Sequence, residues 1–235
     1  MIALTMTRSL TILAALLAAA LARADFPATD FDEDGYALAT PGVELQFPRD
    51  HGSHPQFKTE WWYITGHLES DEGDAAYGFQ ITFFRSAAAK DRQLYMAHAA
   101  LLDKGSRAFH HEERLNSDEW NADAAVGELD LYNGNWYLRM TDPNTESMTT
   151  RFSLAKLGEL TLTLTPQKPK TLFGDQGYSK KGAQAGAASY YVTFTRLAVS
   201  GEAFLDGKRL ALSGVAWMDH EFSSSQLSPG QIGWN

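Results

Sequence analysis

From residue 59 onward, apolar side chains recur at every second position more regularly than at every third or fourth. In "TEWWYITGHL" (59–68), Glu60, Trp62, Ile64 and Leu68 alternate with Trp61, Tyr63, Thr65 and His67. "YGFQITFF" (77–84) places Tyr77, Phe79, Ile81 and Phe83 on one face, and "ELTLTLT" (159–165) sets leucine against threonine. A period of two predicts β-strands, because successive side chains leave opposite faces of an extended backbone. "QLYMAHAALLD" (93–103), "NWYLRM" (135–140), "SMTTRFSL" (147–154) and "SYYVTFTRLAV" (189–199) read the same way. "AFLDGKRLAL" (203–212) predicts a hairpin on a two-residue type I′ turn at Asp206-Gly207. No stretch beyond residue 24 sustains a helical stripe, so the chain is all-β, about eleven short antiparallel strands forming barrels or sandwiches.

Three segments punctuate this pattern. Residues 1–24 combine Arg8, the apolar run "LTILAALLAAALA" and an Ala22-Arg23-Ala24 cleavage site, which predicts a secretory signal cut after Ala24. The run is short and alanine-rich for a membrane span, and no later stretch is apolar enough for one. Residues 25–42 are acidic and turn-rich, a lead-in arm. The Gly-, Lys- and Ser-rich stretch 166–189 divides the strands, so we expect one barrel over 43–188 and the start of a second, incomplete barrel over 189–235. A faint echo between Glu60-Trp61-Trp62 and Trp217-Met218-Asp219 supports that division, and the end at "GQIGWN" reads as a strand just beginning.

Charge and cysteine narrow the function classes. Removing Arg8 and Arg23 with the signal takes the formal net charge from −9 to −11, which repels nucleic acid and anionic lipid surfaces. The chain has no cysteine, which excludes disulfides, thiolate metal sites and a thiol nucleophile. A secreted or periplasmic protein of this kind is held together by its core alone.

Candidate chemistry gathers in two strands. In "GVAWMDHEFSSS" (214–225), Asp219, His220 and Glu221 follow Trp217 and Met218; Asp219 and Glu221 share a face with Trp217, and His220 shares the other with Met218. Glu60 shares a face with Trp62. A carboxyl held among indoles is poorly solvated and stays protonated near neutrality, as protonation of an alkene requires. Two structural alternatives stand beside this: Glu60 pairs with an arginine such as Arg85 or Arg196, and Asp219–Glu221 form a solvated strand end. His110 and His111 are adjacent, so on a strand they face apart and do not share a metal; no helical H-E-x-x-H spacing occurs, and no metal site is expected. Ser223–Ser225 lack a nucleophile elbow, which leaves a hydrolase weakly supported.

"FPRDHGSHPQFKTEWWYITGHL", "YGFQITFFR", "MAHAALLD", "FHHEERL", "GDQGYSKKG", "ASYYVTFTRL" and "GVAWMDHEFSSS" together resemble the AttH/carotenoid 1,2-hydratase (CrtC-type) lipocalin-like family, over about residues 43–235. The resemblance implies consecutive lipocalin-like (calycin-type) antiparallel β-barrels and a chain that usually runs longer. It implies a lipophilic isoprenoid or polyene ligand, and either cofactor-free addition of water to a double bond (a hydro-lyase) or carriage linked to an ABC-type export system. Carried over to this sequence, it nominates Asp219, beside Trp217, as the acid; in a hydratase reading Asp219 or Glu60 donates the proton, His220 orients the acid or the water, Trp61, Trp62, Tyr63, Trp217 and His98 line the ligand, and no cofactor is needed.

Overall fold

The computed structural model describes residues 26–73, 75–184, 186–225 and 230. The expected signal segment lies outside these residues. Among the described residues, thirteen strands follow a short 3-10 turn at Arg49–His51. They are β1 (Thr59–Ser70), β2 (Ala76–Ala89), β3 (Arg92–Asp103), β4 (Phe109–Ser117), β5 (Ala122–Ala124), β6 (Asp130–Asn133) and β7 (Trp136–Asp142). After them come β8 (Ser147–Leu154), β9 (Gly158–Pro166), β10 (Thr171–Leu172), β11 (Tyr178–Lys180), β12 (Ala188–Leu205) and β13 (Lys208–Ser225). Among the described residues no helix is long and apolar enough to cross a membrane.

These thirteen strands join one antiparallel sheet, in the order β4-β3-β2-β1-β13-β12-β9-β8-β7-β6-β5, with β10 and β11 added to β12. The sheet curls into a nearly closed barrel. Its two ends meet through side chains of β3, β4 and β6: Arg114 Nη1 donates to the Asn133 carbonyl (3.1 Å), Asn116 Nδ2 to Asn133 Oδ1 (2.6 Å), and Asn133 Nδ2 to the Tyr95 carbonyl (3.0 Å). The Arg114 guanidinium also covers the Trp136 ring at 4.1 Å. The predicted hairpin is present: Leu205 pairs with Lys208, and Asp206 and Gly207 both have positive φ (49° and 76°), as a type I′ turn requires.

The expected boundary at residue 188 is not where the described fold divides. β12 and β13 form the middle of the sheet, with β13 against β1 and β12 against β9. The stretch 166–189 is no linker between barrels, because it lays β10 and β11 onto the first third of β12. The echo between β1 and β13 likewise reflects two neighbours in one sheet: Tyr63 lies opposite Asp219, and Trp62 opposite His220. Sequence spacing carries no record of which distant strand a hairpin pairs with, and so the division was misplaced.

Inward faces follow the period-two reading. Trp62, Ile64, Phe79, Ile81, Phe83, Phe152, Leu160, Leu162, Leu164, Phe194 and Met218 belong to one buried cluster that fills the barrel. A second cluster caps one end, where Phe26, Ala37 and Ala39 of the arm pack on Phe57, Tyr190, Val192 and Phe222. Tyr190 ties the arm down, donating to the Thr40 carbonyl (2.8 Å) and accepting from the Thr40 N–H (3.0 Å).

Candidate functional site

Between the two clusters lies a fully enclosed group of charged side chains. Alternation along β1 points Glu60 inward beside Trp62 and Ile64, and its residue exposure is 0%. A bare carboxylate there costs several kcal/mol, so the surroundings must supply donors. They come from three directions. Ser53 Oγ (3.1 Å), the His54 N–H (2.8 Å) and Arg85 Nε from β2 (3.0 Å) bond Oε2. His54 Nδ1 and His220 Nε2 of β13, each at 2.8 Å, bond Oε1. Behind His54, its Nε2 lies 3.5 Å from Asp50 Oδ1. Asp50 is fixed by Arg49 (2.6 and 2.9 Å) and the Gln46 N–H (2.6 Å). The His54 ring stacks on Phe222 (3.7 Å) and the His220 ring on Trp62 (4.8 Å).

These contacts set the charges. Burial pushes the Glu60 carboxyl up, but His54, His220 and Arg85 outweigh it and hold the group well below the usual carboxylate range. The expectation of a protonated Glu60 is therefore corrected: cations, not indoles, dominate its surroundings. Burial lowers His54, yet Glu60 and Asp50 reverse the sign and raise it. Burial wins at His220, bringing it down to about 4 against the opposing pull of Glu60. These directions favour a proton on His54 over one on Glu60 or His220. His220 Nδ1 is buried without a hydrogen-bond partner. The result is an imidazole oriented by a carboxylate through one ring nitrogen, with its other ring nitrogen buried.

Of the residues singled out in the sequence, Glu60, Trp62 and His220 meet here. Asp219 does not. It lies on the outer face of β13, partly exposed, and accepts from Trp217 Nε1 at 2.7 Å. The inward residues of that strand are Met218, His220 and Phe222, so the face that Asp219 shares with Trp217 is not the one lining the barrel. Trp61, Tyr63 and Trp217 share the outer face and are partly exposed. His98 is also outward, against Phe84 (5.2 Å) and near Glu113 (3.9 Å). Glu221, outward too, is covered by the 166–189 stretch, where Lys181 pairs with it at 2.7 Å and the Ser189 hydroxyl donates to it. Of the two arginines considered for Glu60, the partner is Arg85; Arg196 is exposed. Asp50, Ser53 and His54 were not picked out, although "RDHGSH" (49–54) packs four ionisable groups into six residues just before an inward glutamate.

Two further features complete the picture. His51 Nε2 bonds Glu146 at 2.8 Å, and Lys170 reaches the same carboxylate at 2.6 Å. At the opposite end of the barrel a cavity of about 540 Å³ opens between Tyr77, Leu101, Leu157, Leu205 and Leu210, with Asp103, Ser106, His110 and Lys208 around it. Leu68, which pairs with Tyr77 beside that cavity, is eight residues along β1 from Glu60, on the order of 25 Å.

Comparison with known proteins agrees with this architecture. A model of the AttH-like family matches residues 38–235. No match is found among curated proteins. The chain superposes on the crystal structure of a protein assigned as AttH from Nitrosomonas europaea with a TM-score of 0.73 and 39% identity, covering 82% of this chain and 60% of that one. Kievitone hydratase from Nectria haematococca aligns with a TM-score of 0.59 and 10% identity, over 84% of this chain and 56% of that one, a likeness of fold alone. This chain therefore spans less than two thirds of the length of either protein. The all-β fold, the ordered motifs and the family match agree: the chain belongs to the AttH-like family.

Proposed function

We propose that the chain is an exported lipocalin-like binder of a lipophilic small molecule of isoprenoid or polyene type. The observation that carries this reading is the cavity of about 540 Å³ at the barrel end away from the arm. Its size suits a small ligand, for which sites run to roughly 300–1,000 Å³ with apolar walls and few polar groups. Tyr77 and the four leucines offer the wall, while Lys208, His110 and Ser106 meet a polar end group at the rim. Release to an ABC-type export system, from the periplasm or cell exterior, is the setting that fits such a carrier. Native mass spectrometry of the purified chain tests it. Intact polyene recovered after incubation supports carriage, and the absence of any bound lipophile from both purified and incubated protein overturns it.

A second reading is favoured by one observation, the stack of Trp62 on a His220 ring oriented by Glu60. In a hydration, one alkene carbon takes a proton from His54, which Glu60 and Asp50 bias toward its protonated form, and its π pair forms the new C–H bond. The other carbon becomes a tertiary cation, which an indole face steadies by up to about 2 kcal/mol. The oxygen of water bonds that carbon and yields its proton to His220 Nδ1, from which it returns to His54. Water is added, with no redox change and no cofactor. A mass gain of one water that disappears in Glu60→Gln supports this reading; unmodified ligand throughout refutes it.

A further inference from the structure

We infer that His54 Nδ1, Glu60 Oε1 and His220 Nε2 form a binding site for a divalent transition-metal ion of the zinc class. The inference does not rest on either reading above, since it requires no substrate. The three donor atoms all lie within 4.8 Å of one another, and all three residues are buried. Both nitrogens point at the same oxygen from 2.8 Å. Zinc–ligand bonds of about 2.0–2.2 Å in a tetrahedral set place ligand atoms roughly 3.3 Å apart, so each nitrogen–oxygen pair opens by about half an ångström to admit an ion.

The surroundings divide the work as a metal site does. Ser53, the His54 N–H and Arg85 occupy Oε2, which leaves Oε1 to the two imidazoles. Asp50 stands behind His54 Nε2, the carboxylate–imidazole arrangement that orients a ligating histidine. The free Nδ1 of His220 can carry that ring's proton when Nε2 ligates. Two nitrogens and one oxygen suit zinc, cobalt or ferrous iron better than calcium or magnesium. The ligands lie 6 and 160 positions apart, which is why no spacing motif announces them.

Cobalt is the direct probe. The full untagged chain, stripped with chelator and incubated with Co²⁺, is expected to develop the intense visible absorption of a four-coordinate ion at stoichiometric loading, and Zn²⁺ is expected to bleach it. His54→Ala and His220→Ala should each remove the band. Asp50→Asn, which touches no ion, should lower affinity about 10–100-fold with circular dichroism unchanged, a readout available even where a ligand variant fails to fold. His110→Ala/His111→Ala, on the outer strand β4, should leave the band intact. A weak six-coordinate spectrum only, or a band that survives in folded His220→Ala, overturns the inference.

Discussion

Glu60 and Arg85 face each other across β1 and β2 as an enclosed ion pair, Nε to Oε2 3.0 Å, with both side chains 0% exposed. Arg85 does more than neutralise. Its Nη1 donates to Gln93 Oε1 (2.7 Å), and Nη2 to the carbonyls of His54 (3.0 Å) and Phe57 (2.9 Å). One planar fork thereby ties β1, β2, β3 and the segment before β1 together. A lysine offers one compact ammonium and cannot reach four acceptors in this spread. Arg85→Met should cost about 3–5 kcal/mol, since it strands a buried carboxylate, and Arg85→Lys should recover only a minor part. Urea denaturation midpoints measure both. A lysine variant as stable as wild type would show that the fork geometry is immaterial.

The cavity wall gives a test of ligand capture that leaves the charged cluster alone. Leu210 is partly buried and packs against the core at the mouth. Leu210→Trp fills the opening with an indole, at a modest stability cost because space is available. Polyene affinity, read by quenching of tryptophan fluorescence or by mass spectrometry, should fall at least about tenfold, consistent with losing a few buried methylenes of contact. Unchanged affinity would place the ligand elsewhere.

Asp219 and Glu60 are predicted to behave oppositely. Asp219→Ala removes an acceptor for the Trp217 indole on the outer face and should cost about 1 kcal/mol, with ligand handling intact. Glu60→Ala opens a void and leaves Arg85 without its counter-ion; a loss of about 3–5 kcal/mol is expected. Thermal melts of the two variants in parallel decide it. If Asp219→Ala proves the more damaging, the assignment of faces on β13 is wrong.

The strands were legible because burial on one face writes a period of two into the chain: Leu160, Leu162 and Leu164 are buried and the threonines between them are not. The turn at Asp206-Gly207 was legible because only a few residues tolerate positive φ there. The pairing of β13 with β1 was not, since it joins residues some 160 positions apart and nothing local records it. The same blindness hid the site. Glu60 was found from its strand, but its charge state depends on His54 and Arg85, which reach it from a preceding loop and a neighbouring strand. Asp219 and His220 are equally prominent in sequence, and only the closure of the barrel decides which of them faces inward.

Acid stability depends on a second group, Glu146. Burial alone would raise its carboxyl, but the bonds from His51 and Lys170 outweigh burial and bring it down from 4.5 to about 2. A folded-state pKa below the unfolded one means that the contribution is fully present above the unfolded value. It is then lost as pH falls through the folded value. Burial also depresses His51, so protonating that ring at low pH works against the fold in the same direction. Glu146 bridges the segment before β1 and the stretch leading to β10, so its protonation should loosen those two together. Wild type should exceed Glu146→Gln by about 1–3 kcal/mol near pH 7, with the gap closing toward about pH 2. Urea midpoints of both proteins across that range measure it. A gap that stays constant would mean that the carboxylate's charge plays no part in stability.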